Sequence, residues 1–410
     1  MSGTHFDVAV VGGGLVGASL AVALAGSGRS ILLIEGIAPD SDSQPSFDDR
    51  TTALGNASRR IFQATGVWPA IGPKAAAIRM IHVSDAGRFG FARLRADEQG
   101  VEAFGFVATN RVIGAALWGR LTAVPSLTLR VPAKTEAVQI TPECVRLTVT
   151  SEARGREEVT ASLAVAADGA HSSVRAAAGI DAAVEDYAQV AIATNVRADR
   201  VPDGTAYERF TPSGPVALLP LHDGSHGVIW TMRPEGAKEI LSLGDAEFLH
   251  QLQERFGWRA GRFIRAGRRA SYPLQLSRAA TTVATRTVLI GNAAQALHPV
   301  AGQGFNLGLR DAAILAELVA NATGDTGSPE LLQRFAQWRD ADRRGVVRFT
   351  DGLVKLFGDR RPGIGTLRNL GLLLFDLTPP AKSALARVSL GFGGRTPRLA
   401  RGLGVRESIP

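Results

Sequence analysis

Three observations predict an α/β fold with a Rossmann-like nucleotide-binding domain, an inserted β-sheet domain and a helical C-terminal region. Residues 6–36 run from an apolar stretch through glycines and an alanine-rich helical stretch into a second apolar stretch, the pattern of a buried parallel βαβ unit. From 186 to 234 strand-like segments dominate, and from about 326 onward the pattern is helical. At 410 residues the chain exceeds one ordinary core, so two domains or one large insertion is expected.

The elements follow in order. FDVAVVGGG (6–14) opens as a strand, GASLAVALAGSG continues as a helix, and SILLIEG (30–36) is the second strand. APDSDSQPSFDDR (38–50) is a polar loop. IRMIHVSDAGRFGFARLR (78–95) reads as strand, turn at Asp85-Ala86-Gly87, and strand; 107–123 reads as a helix. Segments 127–131, 136–150 and 158–167 read as β-structure, as do PVALLPL (215–221) and HGVIWTM (226–232). GDAEFLHQLQERFG (244–257) is helical, and RTVLIGN (286–292) is a strand returning to the first sheet. Ser328-Pro329 suits an N-cap and first helical position for the helix holding Phe335 and Trp338. Leu367, Leu370, Leu374 and Leu377 share one helical face, which Pro379-Pro380 ends.

Composition is that of a globular chain, 45% hydrophobic and 20% charged. Cys144 is the single cysteine, so no intrachain disulfide forms and a reducing compartment fits. The N-terminus enters its first strand without a basic leader, and no apolar stretch is long enough to span a bilayer, so a cytoplasmic location is expected. Of the net charge of +8, most sits between Arg360 and Pro410, where nine Lys/Arg face two acids. That tail is either a solvated basic face or an attractor of an anionic surface, which would put the protein at the periphery of the inner membrane. No nucleic-acid module is present, and aromatic residues are not interleaved with the basic ones.

Gly12, Gly14 and Gly17 form G-x-G-x-x-G at a strand-to-helix junction, and Glu35 ends the next strand. The first glycine permits the turn, the second admits a pyrophosphate, and the third allows close helix–strand packing. The helix N-terminus suits the phosphates and Glu35 suits ribose hydroxyls. This motif alone fits NAD as well as FAD. Two further glycine motifs follow: Asp168-Gly169-Ala170-His171-Ser172-Ser173-Val174-Arg175, and GNAAQALHPVAGQGFNLGLRD at 291–311.

Together the three motifs, in order and spacing over the whole chain, resemble the flavoprotein aromatic hydroxylases related to para-hydroxybenzoate hydroxylase. The resemblance implies FAD as cofactor, NAD(P)H as electron donor and O₂ as co-substrate, with a flavin C4a-hydroperoxide hydroxylating an electron-rich ring. It implies an FAD-binding domain of 1–77, 96–180 and 275–325, a substrate domain of 78–95 and 181–274, and a helical region of 326–410. FDDRTTALGNASRRIFQATGVW (47–68), IHVSDAGRFG (81–90), SYPLQL (271–276) and FTDGLVKLFG (349–358) are similar to the ubiquinone-biosynthesis hydroxylases. The G-N-A-A-Q form at 291–295 is typical of the 2-octaprenyl-6-methoxyphenol hydroxylases, where sister groups more often carry G-D-A-A-H. A polyprenyl phenol substrate, drawn from a membrane or handed over within a ubiquinone-biosynthesis protein complex, is therefore implied. A sister hydroxylase acting at another ring position, a flavin dehydrogenase or oxidase, and an FAD-holding scaffold remain alternatives.

The resemblance also assigns residues. Asp168, Gly169 and Arg175 belong to the motif behind the FAD pyrophosphate. Gly291 and Asn292 face the ribityl chain, where an amide replaces the usual carboxylate and removes a charge. Gly302, Gln303, Gly304 and Asn306 open a helix toward the flavin N1–C2=O edge, and Pro299 sits beside the reactive edge. Arg50 either contacts the cofactor or pairs with Asp48 or Asp49, and Asn110 stands where relatives contact FAD. His298 is either a relay for the phenol proton or a buried structural imidazole. Tyr187, Tyr207 and Tyr272 are the phenolic candidates for substrate contact, and the role of Asp311 is left open. The histidines show no metal-ligand spacing, and no second G-x-G-x-x-G marks a separate NADPH domain.

Overall fold

A computed structural model of the protein describes residues 4–41, 44, 46–124, 126–358, 361, 363–391 and 395–407. Part of the 38–50 loop and, in the basic tail, Arg360 and residues 408–410 lie outside the described residues.

The first sheet grows from the N-terminal βαβ unit. His5–Val11 pairs in parallel with Ile31–Ile34 on one side and Gly155–Ala166 on the other. Leu127–Arg130 adds in parallel beyond Ile31–Ile34, and Thr287–Leu289 beyond Gly155–Ala166. The strand order thus reverses at His5–Val11, and in such doubly wound sheets the ligand crevice opens there, beyond the carboxyl ends of the strands. Both faces of the sheet are covered. Val8 and Val10 pack under the helices Leu15–Leu24, Asn110–Thr122 and Gln303–Ala320. Ala9 and Val11 pack under the antiparallel hairpin Lys134–Ile140 and Val145–Ser151.

The second sheet is larger and mostly antiparallel. Its long strand Ala182–Ala198 pairs with Ala270–Ala279, His226–Met232 and Phe263–Ala266. Beyond His226–Met232 come Gly214–Pro220, Thr205–Thr211, Met80–Asp85 and the edge strand Phe91–Arg95. The helices Pro234–Ser242 and Asp245–Phe256 cover one face, burying Ala237, Phe248, Leu252 and Phe256.

Residues 107–123 are not all helical. Gly105–Thr109 is a strand that pairs with Thr51–Gly55 and Ala76–Ile78, and the helix starts at Asn110. Thr109 caps it, its hydroxyl accepting from the Val112 N–H. The strand is short and lies inside a window of helical period, so periodicity merged the two.

The C-terminal helix Pro329–Gly358 is locked to Gln303–Ala320 by buried charge. Arg339 pairs with Asp311 at 2.6 Å and with Asp342, which also takes Arg310 at 2.9 Å. Gln295 donates to Asp311 at 3.1 Å and accepts from Arg343 at 2.6 Å. Such a cluster survives burial because both carboxylates are paired with guanidiniums and Arg343 is bonded by Gln295. This is the role of Asp311. Farther on, Ile364–Asp376 lies against the edge strand Phe91–Arg95, followed by the helix Pro379–Ser389.

Candidate active site

The parallel sheet gathers the motifs at one edge. Gly12 follows His5–Val11, Glu35 follows Ile31–Ile34, Asp168 follows Gly155–Ala166, and Gly291 follows Thr287–Leu289. Four carboxyl-terminal strand ends in register thus carry all the candidate loops to the switch point.

Gly12 has φ +101°, and a Cβ there would lie 2.4 Å from the Ala167 carbonyl oxygen. A Cβ on Gly17 would lie 1.9 Å from the Gly12 oxygen, so only glycine lets this helix start here. Gly14 is the N-cap of Leu15–Leu24 and supplies no side-chain cap, and no acid sits in the first turn. The helix N–H groups therefore face outward for an anion. Glu35 accepts from the Gly13 N–H at 2.5 Å and from the Ile37 N–H at 3.0 Å, which fixes its carboxylate at the loop. The Trp118 indole N–H donates to the Gly13 carbonyl at 3.2 Å and buttresses the loop from below.

In the middle motif, one Asp168 oxygen accepts from the Ser173 N–H at 2.7 Å and hydroxyl at 3.1 Å. The other, Oδ1, is buried without a partner. Gly169 takes φ +86°. Arg175 donates to the Ala293 carbonyl at 3.0 Å and the Ala170 carbonyl at 2.7 Å. Its side chain thus stitches the second motif to the third.

In the third motif Gly291 (φ +58°) packs on Val16 of the first helix, and Asn292 is exposed. Pro299 is half-buried at the turn, and Gly302 takes φ +58° as N-cap of Gln303–Ala320, again without a side-chain cap or first-turn acid. A Cβ on Gly304 would meet no atom within 4 Å, so its face is open. Gln303 is buried. Asn306 differs from the expectation of a ligand contact. Its Nδ2 donates to Ala53 and Gly302 carbonyls at 2.8 Å each, and its Oδ1 accepts from the Gly55 N–H at 2.9 Å and the Ser58 hydroxyl at 2.7 Å. With all four positions of the amide in use, Asn306 clamps the helix entry to the Thr51–Gly55 strand.

Arg50 and Asn110 meet around Asp48. That carboxylate pairs with Arg50 Nε at 2.5 Å and accepts from Tyr272 Oη at 3.0 Å and Asn110 Nδ2 at 3.3 Å. The Arg50 guanidinium lies over the Tyr272 ring at 4.3 Å, and Thr52 donates to Asn110 Oδ1 at 2.6 Å. Asp49 instead takes Arg111. Burial raises the Tyr272 phenol above its ordinary value, and Tyr187 is likewise raised by burial and by Asp351, to which it donates at 3.2 Å. Tyr207 lies elsewhere, against His82 and Phe256.

His298 is buried, with both ring nitrogens engaged: Nδ1 accepts from the Val300 N–H at 3.1 Å and Nε2 meets Gln189 Oε1 at 3.2 Å. That pairing sets the proton on Nε2. Burial lowers its pKa to about 4, so the imidazole is neutral near pH 7. The sequence offered no signal for Trp118, Gln189 or Thr52, because each acts on a loop far along the chain.

The residues fit FAD. Two uncapped helix N-termini face the switch point, Gly304 leaves an open cradle that a side chain would fill, and a buried Asp168 oxygen awaits a donor. The fold and site are those of an FAD-dependent aromatic monooxygenase. Residues 5–350 match the family described as FAD binding domain, and the chain belongs to it. It is 36% identical to the ubiquinone hydroxylase UbiL of Rhodospirillum rubrum, covering 97% of this chain and 93% of that one. It is 31% identical to the 3-demethoxyubiquinol 3-hydroxylase of Escherichia coli, covering 95% and 100%. The fold is that of p-nitrophenol 4-monooxygenase PnpA from Pseudomonas putida, with a TM-score of 0.80 at 20% identity, covering 96% of this chain and all of that one.

Proposed function

We propose that this monooxygenase hydroxylates the ring of a polyprenylated phenol in ubiquinone biosynthesis, and that its substrate is 2-polyprenyl-6-methoxyphenol. The observation carrying the pathway is the similarity to a ubiquinone hydroxylase over nearly the full length of both chains. The ring position rests on the G-N-A-A-Q form at 291–295. A sister ring position is the second reading, favoured by the similarity to a 3-demethoxyubiquinol 3-hydroxylase.

When bound, FAD supplies the redox chemistry, taking electrons from NAD(P)H and activating O₂. The chain's own residues hold and orient it. Gly12, Gly14 and Gly17 with the first helix would take the pyrophosphate, Glu35 the ribose, and Asn292 the ribityl chain. Asp168 and Gly169 would close on the pyrophosphate from behind, with Arg175 keeping that turn against Gly291–Ala293. The helix N-terminus at Gly302–Gly304 would stabilise negative charge at the ring edge it faces. The Asp48–Arg50–Tyr272–Asn110 cluster would seat the ring. His298 is too weak a base to take a phenol proton efficiently; held by Gln189 and Val300, it sets the turn that presents Pro299.

The test uses purified holoenzyme, NAD(P)H, isotopically labelled O₂ and a short-chain 2-prenyl-6-methoxyphenol. One labelled oxygen in a new ring hydroxyl is expected. Consumption of NAD(P)H with no label in the organic product would contradict the proposal and indicate a dehydrogenase or oxidase. Turnover confined to a demethoxyubiquinol analogue would favour the sister position.

A further inference from the structure

The helix Ile364–Asp376 is mounted with its polar side inward. Arg368 donates to Asp85 at 2.6 Å, and Asn369 Oδ1 accepts from the Gly90 N–H at 2.8 Å while its Nδ2 reaches Asp85 at 3.2 Å. Asp376 accepts from the Arg93 N–H at 2.8 Å. These contacts pin the helix to the outer edge of the second sheet. The leucines are left outside: Leu367 is 67% exposed, Leu374 59% and Leu377 69%, with Leu370 and Leu373 between them. On a helix these positions span one arc, and that arc carries no charged residue. Leucines normally point into a core, so a contiguous outward patch marks a contact surface.

A second feature borders the same arc. A cavity of about 630 Å³ lies beside the helix, lined by Thr366 and Asn369 of the helix and by Arg88, Arg209 and Arg259. Among the described residues no carboxylate lines it. The nearby Asp85 is taken by Arg368 and Asn369. Arg259 contacts His82 Nε2, a neutral partner whose pKa is lowered to about 4 by burial and by Arg259. Burial and Arg259 push the Arg209 guanidinium below its ordinary value. Three guanidiniums beside one carboxylate already bonded to Arg368 and Asn369 call for a further anion. Phe89 and Trp258, also lining the cavity, are 68% and 66% exposed. Exposed aromatic rings beside arginines are a membrane-interface composition.

The arginines that line the cavity, Arg88, Arg209 and Arg259, come from outside the basic tail. Arg406 and Arg398 fold back onto backbone carbonyls, Lys382 pairs with Glu98, and Arg395 lies over Trp338. Arg209 likewise donates to the Arg255 carbonyl at 3.2 Å, so its charge is bonded but meets no carboxylate among the cavity's lining residues.

We propose that the outward leucine face of Ile364–Asp376, with Phe89 and Trp258, docks on an anionic phospholipid bilayer, and that the arginine cavity receives a lipid phosphate. The proposal builds on the polyprenylated substrate proposed above, which partitions into lipid. An apolar arc about one helix wide inserts at the acyl boundary, and flanking arginines add attraction to anionic headgroups. No helix among the described residues is long and apolar enough to cross a membrane, so the contact is with one leaflet.

The test is flotation of the full-length holoenzyme with vesicles of phosphatidylglycerol and phosphatidylethanolamine, and with phosphatidylcholine vesicles. The wild type should float with the first, bind the second weakly, and be released by salt. Leu367→Glu/Leu374→Glu should abolish flotation. Arg88→Ala/Arg259→Ala should weaken it roughly tenfold on anionic vesicles only. Both variants should keep their flavin spectrum and their turnover of a water-soluble short-chain phenol. Wild type that stays with the soluble fraction, or variants that float like wild type, would overturn the proposal. So would leucine variants that change only the sedimenting mass, since the face would then join two copies. Flotation does not depend on which phenol is hydroxylated, so its failure and that of the pathway assignment are separable.

Discussion

Two leucine-rich helices of this chain are mounted in opposite ways. Gln303–Ala320 is buried on nearly every side, and even its charged residues Arg310 and Asp311 lie inside, matched by Asp342 and Arg339. Ile364–Asp376 buries Asn369 and leaves Leu367, Leu370, Leu373 and Leu374 in solvent. The first helix is a structural axis whose N-terminus forms part of the proposed cofactor cradle. The second is held by a few polar contacts and offers its apolar side to something else. Periodicity reveals that a helix has an apolar side; only the partners of its polar side reveal which way that side points.

Substitutions can break or sharpen this contrast. The largest effect is expected from Asp311→Ala, which strips a buried partner from Arg339; unfolding in urea should show a loss of about 3–5 kcal/mol. Leu309→Ala in the same helix should cost about 2–5 kcal/mol, whereas Leu374→Ala on the outward helix should stay within about 0.5 kcal/mol. Equal costs at the two leucines would erase the contrast. Gly304→Val fills open space and should leave the unliganded fold intact while abolishing retention of FAD, read from the visible flavin spectrum after gel filtration. Full activity with intact FAD would contradict the placement of the cradle.

A pH effect follows from the buried imidazoles. His82, His226 and His298 all titrate near 4, below the ordinary 6.5, chiefly through burial. The unfolded chain therefore binds more protons between those values. Stability should be complete above about pH 6.5 and fall as the pH drops toward 4, and His298→Gln should shallow that fall in urea midpoints measured across the range. The smallest effect is expected at the exposed Asn292, where Asn292→Asp should keep FAD bound in the same gel-filtration assay.

Much of the backbone geometry of the proposed cradle was legible because its causes are local. Gly12 and Gly17 are forced by backbone atoms within a few residues or on the adjoining strand, and the apolar runs of the first sheet report burial on both faces. The supports were not legible. Tyr272 reaches Asp48, Gln189 reaches His298, and Arg175 reaches Ala293, each across more than a hundred residues. Asn306 matched a motif as a ligand contact, yet its amide is spent on the protein. A motif records which residues belong to the site, not which atoms remain free.

The most direct test of the central claim is to delete the gene in its host and identify the quinone precursor that accumulates. The account predicts loss of ubiquinone with a build-up of 2-polyprenyl-6-methoxyphenol, reversed by the wild-type gene and not by Gly304→Val. Normal ubiquinone with no intermediate would contradict it.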